Sequence, residues 1–157
     1  MQYEASQKYG SMIRAYERFK HLSINNGSSI SLHAARDAAD DFFQHCYHLK
    51  DWLKKDPATS SLDTENFINK SQPLALAADY CNSSKHGGLD KSSRSGATIE
   101  AANVHTTLDL TSQGFIASSR LEITVSGVKY DAFKLATDCI KAWKSFFASN
   151  NVSLNDN

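Results

Sequence analysis

The first half of the chain repeats apolar residues at three- and four-residue spacing, which predicts amphipathic helices. A first helix is expected over residues 2–22 and a second over 30–55, with turn-forming residues between them. The second helix carries small and apolar residues at the spacing typical of helix bundles, namely Ala35, Ala39, Phe42, Cys46, Leu49 and Leu53. Pro57 ends this helix because proline cannot donate a backbone hydrogen bond.

Two more helices follow, a short one over 63–70 and a longer one over 73–86. Pro73 suits the start of the longer helix, and Gly87-Gly88 ends it because glycine readily takes the left-handed conformation. Residues 88–97 are polar and rich in Gly and Ser, so a mobile surface loop is predicted there.

The pattern then changes to strict alternation, which predicts a half-buried strand over 115–125. Residues 98–110 are its expected partner across the turn 111–114, and Ser126-Gly127 forms a second turn before a last helix over 132–148. The predicted fold class is mainly α, an up-and-down helical bundle with an inserted antiparallel β-hairpin before the last helix. We expect a single domain over 1–150 and a frayed polar tail over 151–157.

Lys plus Arg and Asp plus Glu each count 17, so no strongly basic surface for binding duplex nucleic acid is indicated. Three cysteines form no C-x-x-C pair and are expected to be buried, reduced thiols. No apolar run approaches the roughly 18 residues of a membrane span, and no signal peptide is evident, so we expect a cytoplasmic protein without membrane contact. No cofactor motif appears, since no Gly-rich phosphate loop follows a strand.

Polar residues form one stripe on each of two predicted helices, at spacings that make them neighbours. The second helix carries Asp41, His45, His48 and Trp52, and the fourth carries Asp79, Asn82 and His86 beside Lys85. The two stripes would meet if the helices are adjacent, whereas a solvent-facing polar stripe is the ordinary structural alternative. The two His of the second helix fall short of the ligand sets of zinc sites, so no metal is predicted.

Two segments carry a family resemblance, FFQHCYHLKDWL at 42–53 and DYCNSSKH at 79–86. Together they resemble a group of small bacterial helical proteins, and the second is similar to the signature helix of the HEPN superfamily. That resemblance implies a helical bundle, often dimeric, and in many members a metal-independent ribonuclease of toxin–antitoxin or phage-defence systems. The family motif is an Arg, a polar residue that is frequently Asn, three variable residues and a His. Asn82 and His86 match its last two fixed positions, while Cys81 stands where the Arg would be.

The leading hypothesis is therefore an HEPN-like bacterial accessory or defence protein that contacts RNA. In a catalytic version His86 would act as general base on a ribose hydroxyl, Asn82 would orient its surroundings and Asp79 would steer the imidazole. The expected binding residues are His45, His48, Lys85, Lys91 and Arg94.

The alternative hypothesis is a non-catalytic protein-interaction module, which the missing Arg and the neutral net charge favour. A small-molecule pocket within the bundle is a third possibility. The expected partners are accordingly RNA, another protein or a second copy of the chain in a homodimer. The sequence decides neither for nor against catalysis.

Overall fold

The computed structural model describes residues 4–24, 32–86, 94, 96, 99–112 and 114–155. Within these ranges the side chains of 23, 24, 32, 84–86, 99–111 and 114–119 are not described. The loop predicted over 88–97 thus lies outside the described residues, except for Arg94 and Gly96.

The described residues include five helices and three strands. In chain order they are α1 (Ala5–Ile24), α2 (Leu32–Lys55), α3 (Thr64–Lys70), α4 (Gln72–His86), β1 (Ile99–Thr111), β2 (Gly114–Val125), β3 (Val128–Asp131) and α5 (Ala132–Ser149). The predicted fold class, a mainly helical bundle with an antiparallel β element before the last helix, is confirmed. No helix in these ranges is both long and apolar enough to cross a bilayer.

The core lies where α2 packs against α1, α4 and α5. Every residue of the bundle spacing recognised on the second helix is at most 1% exposed. From α5 the core receives Trp143 and Phe147, whose rings stack with centroids 5.7 Å apart. Each large apolar side chain buried in this way stabilises the fold by about 1.5–3 kcal/mol. Burial of this one face fixes which sides of α2 remain for polar chemistry.

The sheet has the order β1-β2-β3 with antiparallel pairing throughout. A two-residue turn joins β2 to β3, and Ser126 and Gly127 both take positive φ, 48° and 77°. Such a turn matches the twist of the flanking strands. Leu121, Ile123 and Val125 are buried, which confirms the alternation predicted for this end of β2.

The three cysteines are free and buried, as predicted. The Cys139 thiol donates to the Pro73 carbonyl oxygen at 3.3 Å. Burial, together with the neighbouring Cys46 thiol, raises the pKa of Cys139 well above its ordinary value of 9.0. Because the nucleophilic form of cysteine is the thiolate, Cys139 is suited to packing and not to catalysis.

The end of the chain differs from the frayed tail that we expected over 151–157. Asn151 takes a left-handed φ of 55°, which turns the backbone at the end of α5. The Val152 amide then donates to the Phe147 carbonyl oxygen at 2.9 Å, and Val152 and Leu154 pack against the core. This part of the tail is thus joined to the end of α5 by a turn, a hydrogen bond and apolar contacts.

Candidate functional site

Helix α2 carries polar side chains on both sides of its buried face. Tyr47 and Lys50 point towards α3 and Arg94, where they meet charged partners. Asp41 and Trp52 instead face α1. The two sides form separate clusters with different electrostatics.

The first cluster, called here the Arg94 network, joins α2, α3 and α4 to the segment that contains Arg94. Its members are Tyr47, Lys50, Glu65, Asn69, Asp79 and Arg94. One guanidinium nitrogen of Arg94 donates to Glu65 Oε2 at 2.8 Å and to Asn69 Oδ1 at 2.9 Å. The other donates to the Tyr47 hydroxyl at 3.2 Å. Arg94 is thereby bonded to two helices at once.

Asp79 anchors the same segment through its backbone. The residue is only 1% exposed, and its Oδ1 accepts from the Arg94 amide at 2.8 Å. A buried polar group that loses its partner costs about 1–3 kcal/mol. Asp79 therefore has a structural task on α4.

Close pairing stabilises the ionised forms of Lys50 and Glu65 in the Arg94 network. Burial by itself would raise the pKa of Glu65. The hydrogen bonds and positive charges of Lys50 and Arg94 lower it by more, so the pKa lies below its ordinary 4.5. Burial lowers the pKa of Lys50, yet its hydrogen bonds to Glu65 and Asp51 raise it above 10.5. Opposite charges within hydrogen-bond distance outweigh partial burial here.

The second cluster, called the Lys8 cluster, lies between α1 and α2 and consists of Lys8, Arg18, Asp41, His45 and Trp52. Lys8 Nζ is 6.0 Å from the centroid of the Trp52 ring, within range of a cation–π contact. Arg18 forms an ion pair with Asp41 across the two helices. His45 Nε2 is 3.4 Å from Asp41 Oδ1, a longer contact.

Two basic groups of the Lys8 cluster, Lys8 and His45, are partly desolvated. Burial lowers the pKa of Lys8 below 10.5, and Asp41 and Asp51 offset this only in part. Burial also lowers the pKa of His45 below 6.5, helped by the positive charge of Lys8. The imidazole is therefore harder to protonate than an exposed one. Its Nδ1 is buried and has no hydrogen-bond partner among the described residues.

The structure brings together only part of the predicted site. His45 lies against α1 and not opposite the Asp79 stripe of α4, because the two polar sides of α2 are separated by its buried face. The His48 ring lies 5.8 Å from that of Tyr47, a member of the Arg94 network. Asn82 is half-buried on α4.

Four predicted residues remain: Lys85, His86, Lys91 and Arg94. Only the side chain of Arg94 is described. Arg94 is held in its network. Lys91 lies outside the described residues, and so do the side chains of Lys85 and His86. The arrangement expected around His86 therefore stays a prediction.

An open groove of about 500 Å³ lies between the start of α4, β3 and α5. Its lining includes Pro73, Leu76, Tyr130, Lys134 and Leu135. The volume falls within the range of small-molecule sites. Lys134 at its edge is already bonded to Asp138 at 2.7 Å.

Within the described ranges no three His, Cys, Asp or Glu side chains gather closely enough to hold a metal ion.

The sequence patterns did not reveal Lys8 or the partners of Arg94. Lys8 is one of several charged residues on the first helix, and only the packing of α1 on α2 brings it to Trp52. Glu65 and Asn69 are exposed residues on a seven-residue helix. A four-residue spacing on α3 was the one available signal, since it puts both on the same face.

No protein-family model matches the chain, no curated protein matches it, and no solved structure matches it.

Proposed function

We propose that the protein is a non-catalytic interaction module that docks a protein partner. The observation that carries this proposal is the commitment of Asp79, which is 1% exposed and accepts the Arg94 amide at 2.8 Å. A carboxylate in this position holds the chain together and is shielded from any bound RNA. Oδ1 of Asp79 is thereby committed to the backbone of the Arg94 segment.

The position of the missing motif Arg supports the same proposal. Cys81, which occupies it, is 3% exposed and offers no positive charge to a scissile phosphate. Arg94 is one basic residue held beside α4, but Glu65, Asn69 and Tyr47 already bind its guanidinium. Moving Arg94 to a phosphate would break these bonds.

The face formed by the Lys8 cluster is the docking surface that we propose. It presents Arg18 next to Asp41, so a guanidinium and a carboxylate lie side by side on it. Polyanionic RNA is repelled by such carboxylates, whereas a protein surface can match both signs. Trp52 adds an aromatic group of the kind that dominates binding at protein interfaces.

The first experiment separates docking from RNA chemistry. Wild type and His86→Ala are incubated with mixed-sequence single-stranded RNA in a chelator, and cleavage and binding are measured at physiological salt. We expect neither protein to cleave or to bind RNA. Cleavage by wild type that His86→Ala abolishes, with equal unfolding temperatures, would overturn the proposal.

The second experiment tests the docking face directly. Arg18→Glu reverses an exposed charge of the Lys8 cluster, and Lys141→Glu is the matched control on α5, where the side chain is 74% exposed. Cross-linked partners of the three proteins are compared in cells. We expect one partner to be lost with Arg18→Glu and retained with Lys141→Glu. Equal recovery of that partner by all three would exclude this face.

A second candidate function is an HEPN-like protein that contacts RNA, as a homodimer, at Asn82 and His86. The observation in its favour is that the Arg94 amide donates to Asp79, three residues before Asn82 on α4, so that one arginine lies beside the motif helix. In this version His86 is the general base or a phosphate ligand, with Lys85 and Lys91 binding the backbone. The RNA experiment above decides between the two functions.

A further inference from the structure

The groove between the start of α4, β3 and α5 runs along an edge of the sheet. Its lining includes Lys129, Tyr130 and Asp131, which are consecutive residues of β3. Tyr130 packs against the core, whereas Lys129 Nζ lies 3.4 Å from Glu122 Oε1, so the two side chains lie on opposite faces. A groove that reaches both faces of a strand follows the edge of that strand.

This edge of β3 has no paired strand among the described residues. The sheet order β1-β2-β3 puts β3 at the border of the sheet, with β2 on its other side. In a hairpin with a two-residue turn the closing pair, here Val125 and Val128, exchanges backbone hydrogen bonds. The next residue, Lys129, therefore turns its amide and carbonyl groups outward, to the edge along which the groove runs.

Apolar surface accompanies these backbone groups. The groove has a volume of about 500 Å³, and its apolar lining comes from Pro73, Leu76, Leu135 and Tyr130. Val128, two residues before Tyr130 on β3, is 53% exposed and is the one exposed large hydrophobic residue in the described part of the chain. An apolar strand edge that lacks a partner is a template for pairing with another chain.

We propose that this groove binds an extended peptide of a partner protein, which adds to β3 as an antiparallel strand. A peptide backbone supplies both a donor and an acceptor to the outward groups of Lys129, and alternate side chains of the peptide enter the apolar groove. The antiparallel direction is chosen because this pairing is the more stable one per residue. The site shares no residue with the Lys8 cluster, so the inference goes beyond the proposed function and does not depend on it.

The register of β3 determines the chemistry of the peptide. Tyr130 and Val128 lie on the same face, so the residues opposite them are apolar. The residue opposite Lys129 is acidic and the residue opposite Asp131 is basic, since opposite charges across a strand pair are favourable. From its N-terminus, the peptide therefore carries a basic, an apolar, an acidic and a second apolar residue.

The first test uses the capped hexapeptide Thr-Arg-Leu-Glu-Val-Thr, which is titrated into the ¹⁵N-labelled protein up to about 2 mM. We expect saturable NMR shifts at the amides of Lys129 and Tyr130, and slower hydrogen exchange of the Lys129 amide in the complex. Replacing the Leu of the peptide by Ser should weaken binding roughly tenfold or more, because no apolar side chain then fills the groove. N-methylation of its Glu, which removes a donor opposite Lys129, should weaken binding to a similar extent.

Two variants of Lys129 form the matched pair on the protein side. Lys129→Pro removes the outward amide, and an edge strand tolerates proline where the amide does not bond within the sheet. Lys129→Ala keeps the amide and removes only the ammonium, whose side chain is 70% exposed. We expect Lys129→Pro to weaken binding roughly tenfold or more and Lys129→Ala about twofold or less, because exposed charge pairs contribute little. NMR spectra and unfolding temperatures check that both variants fold, and the N-methylated peptide provides the same test if Lys129→Pro does not.

Three results would overturn the proposal. The first is the absence of saturable shifts at the highest peptide concentration, or shifts confined to residues away from β3, α4 and α5. The second is equally tight binding of the N-methylated and unmodified peptides, which would exclude strand pairing. The third is binding of N-acetyl-leucine amide as tight as that of the hexapeptide, which would make the groove a site for a small apolar molecule.

Discussion

The Arg94 network and the Lys8 cluster flank the same buried face of α2, yet the net pKa shifts of their lysines have opposite signs. Lys50, in the network, is hydrogen-bonded to two carboxylates, and its pKa is raised despite desolvation. Lys8, in the cluster, has carboxylates only at longer range, and its pKa is lowered. The two lysines are buried to a similar extent, so the difference arises from pairing.

This contrast indicates a structural role for the Arg94 network and a binding role for the Lys8 cluster. The hydrogen bonds of Arg94 are satisfied by three side chains, and a ligand would have to displace them. His45 retains a buried nitrogen with no partner among the described residues. Groups with perturbed protonation and unused bonding capacity are more common at functional sites than at structural ones.

The largest loss of stability is expected for Asp79→Ala, because this change removes the acceptor of the Arg94 amide. The free energy of unfolding should fall by about 2–3 kcal/mol, because the lost partner is buried. Chemical denaturation of wild type and variant measures this directly. Asp79→Asn retains an oxygen acceptor and should lose clearly less. A fully stable Asp79→Ala protein would remove the structural role that distinguishes the network.

A smaller difference is expected between two arginines. Arg94→Ala removes hydrogen bonds to three partners and should destabilise the protein by about 1–2 kcal/mol. Arg18→Ala removes one exposed ion pair, which contributes roughly 0.5 kcal/mol or less. Thermal unfolding of both variants at the same salt concentration provides the comparison. Equal losses would mean that pairing does not distinguish the two regions.

The next effect is a pH dependence of the free energy of unfolding that arises from His45 in the Lys8 cluster. The pKa of His45 is lowered by burial, so the unfolded chain binds a proton more readily than the folded one near pH 6.5 and below. Unfolding free energy should therefore decrease as the pH falls from 7 through the folded pKa of His45. His45→Gln should flatten this part of the curve. A curve of unchanged slope in the variant would assign the dependence to other groups.

The smallest effect is expected for Glu65, whose side chain is 48% exposed. Its pKa is lowered below 4.5 because Lys50 and Arg94 outweigh the opposing effect of burial. It therefore stabilises the fold above pH 4.5 and loses this contribution as the pH falls through the folded value. Glu65→Gln should reduce the acid sensitivity below pH 4.5 and leave the His45 region unchanged. Loss of the dependence near pH 6.5 instead would be inconsistent with this assignment.

Periodicity predicted the architecture because burial of one face imposes it. The apolar spacing of the second helix corresponds residue by residue to the core face of α2, and the Ser126-Gly127 turn lies where the alternation breaks. Pro73 predicted the start of α4 to within one residue, since the helix begins at Gln72. These are local signals that do not depend on the neighbouring helix.

The site was less predictable because it depends on which helix each polar side meets. Asp41 and His45 share a stripe with each other, but nothing in their spacing says that α1 and not α4 covers it. The Arg94 network joins residues up to 47 positions apart in the chain. Such pairings follow from helix packing, and a single sequence does not encode them in a local pattern.

The most direct test is the titration of individual lysines. With ¹³C- or ¹⁵N-labelled lysine, NMR follows the side-chain resonances of Lys8, Lys50 and Lys134 between pH 8 and pH 12 in the folded protein. The difference between paired and unpaired burial predicts a pKa below 10.5 for Lys8 and above 10.5 for Lys50 and Lys134. A pKa of Lys8 equal to or above that of Lys50 would contradict it.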